Sequence, residues 1–279
     1  MRVEILGSGG ALPIPRPGCR CRVCAEARAK GVPYARTGPS LFVHGPDLLF
    51  DTPEESRLQL DRAGIGRIAA CFYSHWHPDH VMGRRVFETR NMDFRTWPRP
   101  ELEATPVYLP EQVALDARTY LGTRDHLAFL EHIGVVRVVE LADGDVVEFD
   151  GVRVTPFRLA EDYVYAFLLE GGGKRVLVCM DELNGWTPPD LGPLDLAVLP
   201  MGILELDPRS GERLIAAEHP VLQAEATFAE TLEIVRRLDA RRVVLSHVEE
   251  MDAVSHDDLR SIGARERVEF AYDTMSLDL

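Results

Sequence analysis

The chain has 279 residues, 46% apolar and 27% charged, with 31 basic against 45 acidic side chains for a formal charge of −14. That composition belongs to a soluble globular protein with enough chain to bury a core without disulfide staples. The acidic excess argues against a nucleic-acid backbone as the main partner, because phosphate contacts come from clustered lysine and arginine; a small anionic substrate remains compatible wherever a metal inverts the local field.

In chain order, Val3–Leu6 reads as a strand that runs into the turn Gly7-Ser8-Gly9-Gly10, and residues 11–40 read as loop. Leu41–Val43 and Leu48–Phe50 flank Gly45-Pro46-Asp47 and predict a hairpin. Glu54–Ala63 has helical spacing, Ala69–Tyr73 is a buried-type strand, and Glu111–His132 is the longest mixed helical region. Strands follow near Val107–Leu109, Val135–Glu140, Val146–Phe149, Val152–Arg158, Tyr163–Glu170 and Arg175–Met180, the last two joined by Gly171-Gly172-Gly173. Leu196–Leu199 and Arg242–Leu245 are further strands, Ala226–Leu238 and His256–Ile262 helices, and Arg267–Tyr272 a last strand. Strands with helices between and after them predict one layered α/β domain over residues 1–279.

The start of the chain has no apolar signal core. No window approaches the ~18 uninterrupted apolar residues of a membrane helix. Three of the five cysteines crowd into Cys19-x-Cys21-x-x-Cys24, poor spacing for disulfides and good spacing for a metal. A cytoplasmic protein without a membrane partner is expected. Cys71 and Cys179 sit in apolar strand runs and read as core thiols.

The densest chemistry is Ser74-His75-Trp76-His77-Pro78-Asp79-His80, directly after an apolar strand. On a strand His75 and His77 share a face, and Pro78 then turns the chain so that Asp79 and His80 meet the same pocket. Imidazole with carboxylate suits zinc, iron or manganese. At the second cluster, three thiolates this close wrap a tetrahedral zinc and need a fourth ligand. His219 and Glu225 are the sequence candidates, and thiolate-rich sites favour the imidazole.

His75-x-His77-x-Asp79-His80 resembles the signature of the metallo-β-lactamase fold hydrolases. That resemblance implies a four-layer αβ/βα sandwich, two mixed β-sheets flanked by helices. It implies two divalent ions (Zn, Mn or Fe) held by His75, His77, Asp79, His80, Asp181 and His247, with Asp79 also orienting a nucleophilic hydroxide, and an early aspartate at Asp51. A further histidine ligand is expected just after a strand like Val152–Leu159, where the chain has Leu159-Ala160-Glu161-Asp162 instead. Glu161 or Asp162 could supply a carboxylate there, or only the ion of Asp79, His80, Asp181 and His247 is firmly bound.

The start Ile5–Ala11, the cysteine cluster and the ending Phe270-Ala271-Tyr272-Asp273 narrow the resemblance to the phosphoribosyl 1,2-cyclic phosphate phosphodiesterases, with likeness also to a protein of pyrroloquinoline quinone biosynthesis. It implies one structural zinc on Cys19, Cys21 and Cys24 with a histidine before the late helix; by chain order that place falls at Glu225, a departure from the pattern that leaves His219 as the substitute fourth ligand. The expectation is a metal-dependent phosphodiesterase acting on a small anionic substrate, with self-association as a homodimer compatible. Alternatives are a hydrolase of another ester or lactone, a nuclease like the tRNA 3′-end endonucleases, and a weakly active metal-binding biosynthetic protein. Arg84 and Arg85 could meet an anion, the Gly7–Gly10 turn could offer amides to phosphate, and Arg90–Pro100 could form a lid or a plain surface loop.

Overall fold

A computed structural model describes every residue except 93, 99 and 208. Its strands are β1 (Arg2–Gly7), β2 (Ser40–His44), β3 (Leu48–Phe50), β4 (Ala70–Phe72), β5 (Thr105–Pro110), β6 (Val136–Leu141), β7 (Val147–Phe149), β8 (Val152–Arg158), β9 (Tyr165–Gly171), β10 (Lys174–Cys179), β11 (Leu196–Pro200), β12 (Val243–Ser246), β13 (Glu269–Phe270) and β14 (Met275–Asp278). Two seven-stranded sheets result, in the orders β14-β1-β2-β3-β4-β5-β6 and β13-β12-β11-β10-β9-β8-β7. The helices are α1 (Arg22–Lys30), α2 (Ser56–Arg62), α3 (Pro78–Val81), α4 (Val86–Asn91), α5 (Glu111–Thr119), α6 (Thr123–His132), α7 (Val221–Ala224), α8 (Phe228–Arg237) and α9 (His256–Glu266).

Period-two alternation explains the layering. Tyr165, Phe167 and Leu169 of β9, with Val176 and Val178 of β10, enter a core shared with the first sheet's Phe50 and Phe72. Their neighbours Ala166, Leu168, Leu177 and Cys179 point the other way, into a second core with Phe228 and Leu232 of α8 and Leu259 and Ile262 of α9. Strands buried on both faces read as continuous apolar runs, and these do. Cys71 and Cys179 are buried core thiols, as expected.

Each sheet is mixed. β3 through β6 are parallel, with β1, β2 and β14 antiparallel at one side. β10 through β13 are parallel, with β7, β8 and β9 antiparallel. Ligand-bearing loops therefore leave the carboxyl ends of β3, β4, β10 and β12, the usual place for a site in an α/β sheet.

The sequence expectations depart from this structure in several places. Residues 11–40 hold a helix, α1, whose N-cap is Cys21; proline, glycine and arginine around it masked a short helix with weak apolar periodicity. The helical region 111–132 breaks at Tyr120–Gly122, where Leu121 and Gly122 take positive φ. The last expected strand shrinks to two residues because α9 extends to Glu266, and a further strand, β14, pairs with β1. The expected lid stretch 90–100 includes residues 93 and 99, which lie outside the described residues.

Candidate metal centre

Asp51 follows β3, takes φ 57° and is fully buried. Its Oδ1 accepts the Ser74 N–H at 2.8 Å and its Oδ2 accepts the Ser74 hydroxyl at 2.6 Å. The same Oδ2 lies 2.8 Å from His80 Nδ1. A carboxylate accepts only, so His80 donates from Nδ1 and its Nε2 carries the lone pair. Because the Ser74 hydroxyl gives its proton to Asp51, it accepts from His75 Nδ1 at 3.1 Å, which frees His75 Nε2 in turn. One early aspartate thus sets the tautomer of two imidazoles, as metal sites require.

His75 and His77 stand in the loop after β4, not on the strand itself, with ring centroids 4.5 Å apart. Pro78 does not merely interrupt the chain: it occupies the first turn of α3, where a missing N–H costs nothing, and that turn carries Asp79 and His80 inward. Asp181 follows β10. His247 follows β12 at φ 56°, with Gly10 against its ring, where any Cβ would collide with the imidazole and with Glu249.

These side chains converge. His80 Nε2 is 3.3 Å from Asp79 Oδ2 and 3.5 Å from Asp181 Oδ2. His247 Nε2 is 3.6 Å from Asp79 Oδ2 and 3.3 Å from Asp181 Oδ1. His75 Nε2 is 3.2 Å from Asp181 Oδ2. The edge of a tetrahedron with ~2.1 Å metal–ligand bonds is about 3.4 Å, so the spacing is that of donors around a cation. Asp79 Oδ2 and the Nε2 atoms of His75, His80 and His247 are buried without a hydrogen-bond partner. Orphaned buried polar atoms gathered in one pocket are costly unless ions satisfy them. The donor set therefore fits a divalent metal.

The electrostatics agree. Burial opposes charge on His80 and His247, yet the surrounding carboxylates outweigh it; His80 is raised by Asp79 and Asp51, and His247 to about 10 by Asp181 and Asp79. Burial beside His75 pulls His77 down to about 4. Asp181 and Asp79 are depressed despite burial, chiefly by His247 and His80 respectively. A cavity of about 20 Å³, room for one water-sized guest, adjoins the centre and is lined by Asp181, Glu182, Glu225, His247, Glu249 and Asp252. Burial and Asp181 push Glu182 and Glu225 up to about 7.

Glu161 and Asp162 join neither group of converging donors among the described residues, and Asp162 is exposed. Tyr163 takes that flank, its ring centroid 5.4 Å from His77 and 6.0 Å from His75. The Gly7–Gly10 turn is not a free cradle: the Ser8 N–H goes to Asp273 and the Gly9 N–H to Thr37. Arg84 is buried and bonded to the Val81 and Leu121 carbonyls, and Arg85 pairs with Glu88, so neither faces the centre as an anion ligand.

Cys19, Cys21 and Cys24 come together, but the fourth donor is Glu250, not His219. Its Oε1 lies 3.0, 3.1 and 3.8 Å from the three sulfurs, and Arg16 holds its Oε2 at 2.9 Å. The physical reason is local: the loop leaving β12 delivers His247 to one site and Glu250, three residues on, to the other. His219 is exposed ahead of α7, its Nδ1 accepting the Val221 N–H. Glu225 faces the metal centre instead. The Glu249-Glu250 pair was the available signal.

A family model for the Beta-lactamase superfamily domain matches residues 40–248. The first two curated relatives matched are spanned for only 17% and 38% of their length. The second is ribonuclease Z of Archaeoglobus fulgidus, 32% identical over 44% of this chain. Ribonuclease Z of Myxococcus xanthus is 25% identical over 87% of this chain and 92% of that protein. Among solved structures, zinc-bound PqqB from Methylobacterium extorquens superposes over the full length of both chains, with TM-score 0.72 and 20% identity. A diphosphatase from the PhnP family gives 0.69 and 23%, covering 100% of this chain and 97% of that one. Two mixed sheets flanked by helices make this the metallo-β-lactamase αβ/βα sandwich.

Proposed function

Because the chain belongs to the beta-lactamase superfamily, we propose that it is a metal-dependent hydrolase of phosphodiesters, acting on a small anionic substrate. The convergence of Asp79, His80, Asp181 and His247 at 3.3–3.6 Å carries this reading. The likeness to a diphosphatase and to ribonuclease Z supports a phosphoryl substrate.

Asp79, His80, Asp181 and His247 would hold one ion, and His75 and His77 with Asp181 a second. Divalent ions bound there supply charge neutralisation for a phosphoryl group and acidify a water for attack. Asp51 and Ser74 keep the imidazole lone pairs aimed inward. Asp79 would also accept a hydrogen bond from the attacking water and so orient it. Tyr163 keeps its phenolic proton, held up by burial and by Asp181, and can donate to a substrate oxygen. Cys19, Cys21, Cys24 and Glu250 would hold a structural zinc.

Purified protein with added manganese or zinc should hydrolyse bis-p-nitrophenyl phosphate, and Asp79→Asn should remove that activity. Absence of turnover with every divalent ion tried rejects the reading. A nuclease is the second reading, favoured by the match to ribonuclease Z over 87% of the chain and opposed by the charge of −14. Retardation of transfer RNA in a gel, with trimming of its 3′ end, would select it.

A further inference from the structure

The two halves of the centre are not equally built. Around the point faced by Asp79, His80, Asp181 and His247, four donor–donor separations fall between 3.3 and 3.6 Å. On the other side His75 lies 3.2 Å from Asp181 Oδ2, the same oxygen that His80 meets at 3.5 Å, so His75 is the one donor which that group of His75, His80 and Asp181 does not share with the first. His77 meets His75 edge to face and, among the described residues, belongs to neither group of converging donors. The chain after β8 turns tightly there, with Leu159 N–H bonded to the Val164 carbonyl and Val164 N–H to Glu161. That turn exposes Asp162 and places Tyr163 beside both imidazoles.

We propose that the centre is unequal by construction. Asp79, His80, Asp181 and His247 form a preorganised pocket for one tightly held ion. Tyr163 occupies the flank where a third donor beside His75 and His77 would stand, so the second ion is held weakly and is completed by the substrate's own anionic oxygen. The inference rests on the metal-dependent reading above.

A neutral phenol is a poor ligand compared with imidazole, and the Tyr163 ring stands 5.4 Å from that of His77 and 6.0 Å from that of His75. An arriving phosphoryl oxygen supplies the missing donor and accepts from the phenol. Loading of the second ion and binding of substrate are then coupled, and by linkage each tightens the other.

Titration with Mn²⁺ followed by electron paramagnetic resonance tests this without any turnover. Manganese prefers oxygen and nitrogen donors, which leaves the cysteine cluster out of the count. The first equivalent should give an isolated six-line spectrum. A second should enter only at roughly 10–100-fold higher free Mn²⁺, the range expected for an incomplete donor set, and at lower Mn²⁺ when inorganic phosphate is present. His247→Asn should abolish the first event and His77→Ala should spare it. Tyr163→His should bring the second event close to the first and produce an exchange-coupled spectrum, whereas Tyr163→Phe should not.

A coupled pair already at one equivalent in the wild type overturns the proposal, as does loss of the first ion in His77→Ala. Failure of Tyr163→His to tighten the second event removes Tyr163 from it. If bis-p-nitrophenyl phosphate is not hydrolysed yet the two-step titration appears, the hydrolase reading falls and this one stands.

Discussion

Asp51 accepts the Nδ1 proton of His80 across 2.8 Å, and both side chains are wholly excluded from water. The two residues come from different strand ends, after β3 and within α3. The contact fixes which imidazole nitrogen faces the metal pocket, and through Ser74 it does the same for His75.

Asp51→Asn should therefore weaken metal binding by roughly 10–100-fold, the usual effect of removing a ligand's supporting partner. An amide can present its N–H to His80 and invert the tautomer. Isothermal titration with Zn²⁺ measures the loss; unchanged affinity would remove Asp51 from this role.

Gly10→Ala should displace the His247 ring, because a Cβ at that position has no room beside it. The expected result is at least a ~10-fold drop in metal affinity, comparable to losing a supporting partner, with Gly9→Ala as a neighbouring comparison that meets the Thr37 carbonyl instead. Retained affinity in Gly10→Ala would show that the loop after β12 can relax.

At the cysteine cluster, Cys19→Ser and Glu250→Ala should each lower bound zinc by one ion per chain and reduce Tm, while leaving Mn²⁺ binding at the histidine centre. Glu250→His should keep the zinc, since imidazole completes a thiolate site. His219→Ala should change nothing, as the ring is exposed and its Nδ1 accepts the Val221 N–H. Metal analysis of the purified variants reads all four.

Stability of the ion-free protein should fall as pH rises. His247 is raised from 6.5 to about 10, so its stabilising contribution is complete below the unfolded value near 6.5 and is lost as pH climbs towards 10. Glu182 and Glu225, raised to about 7 by burial and Asp181, act in the same direction from about 4.5 upward. Asp79 and Asp181 are depressed, so their contribution is present above about 3.8 and lost only in strong acid. Thermal unfolding of chelated protein should show highest Tm in mildly acidic buffer. Metal affinity should rise over the same alkaline window, because binding displaces the proton from His247. A flat profile from pH 5 to 9 would contradict the electrostatic account.

The ligands of the metal centre and their supporting aspartate were legible because they follow apolar runs: Asp51 after Leu48-Leu49-Phe50, His75 after the Ala70–Phe72 strand, Asp181 after β10 and His247 after β12. Period-two and buried-run patterns depend on neighbours a few residues apart, and such patterns survive in the linear chain. The short α1 and the four-residue β14 were not legible, since elements of that size draw their stability from tertiary packing more than from local propensity.

The linear chain offers the chemistry, four imidazoles and three aspartates at or just beyond strand ends and three thiols close together. Folding selects which of them meet. Glu250 rather than His219 faces the cysteines because one loop after β12 spans both sites. Tyr163 rather than Glu161 stands beside His75 and His77 because a tight turn after β8 sets its direction. Coordination needs atoms within a few ångströms across hundreds of residues, and only the packing of one sheet on the other sets that distance.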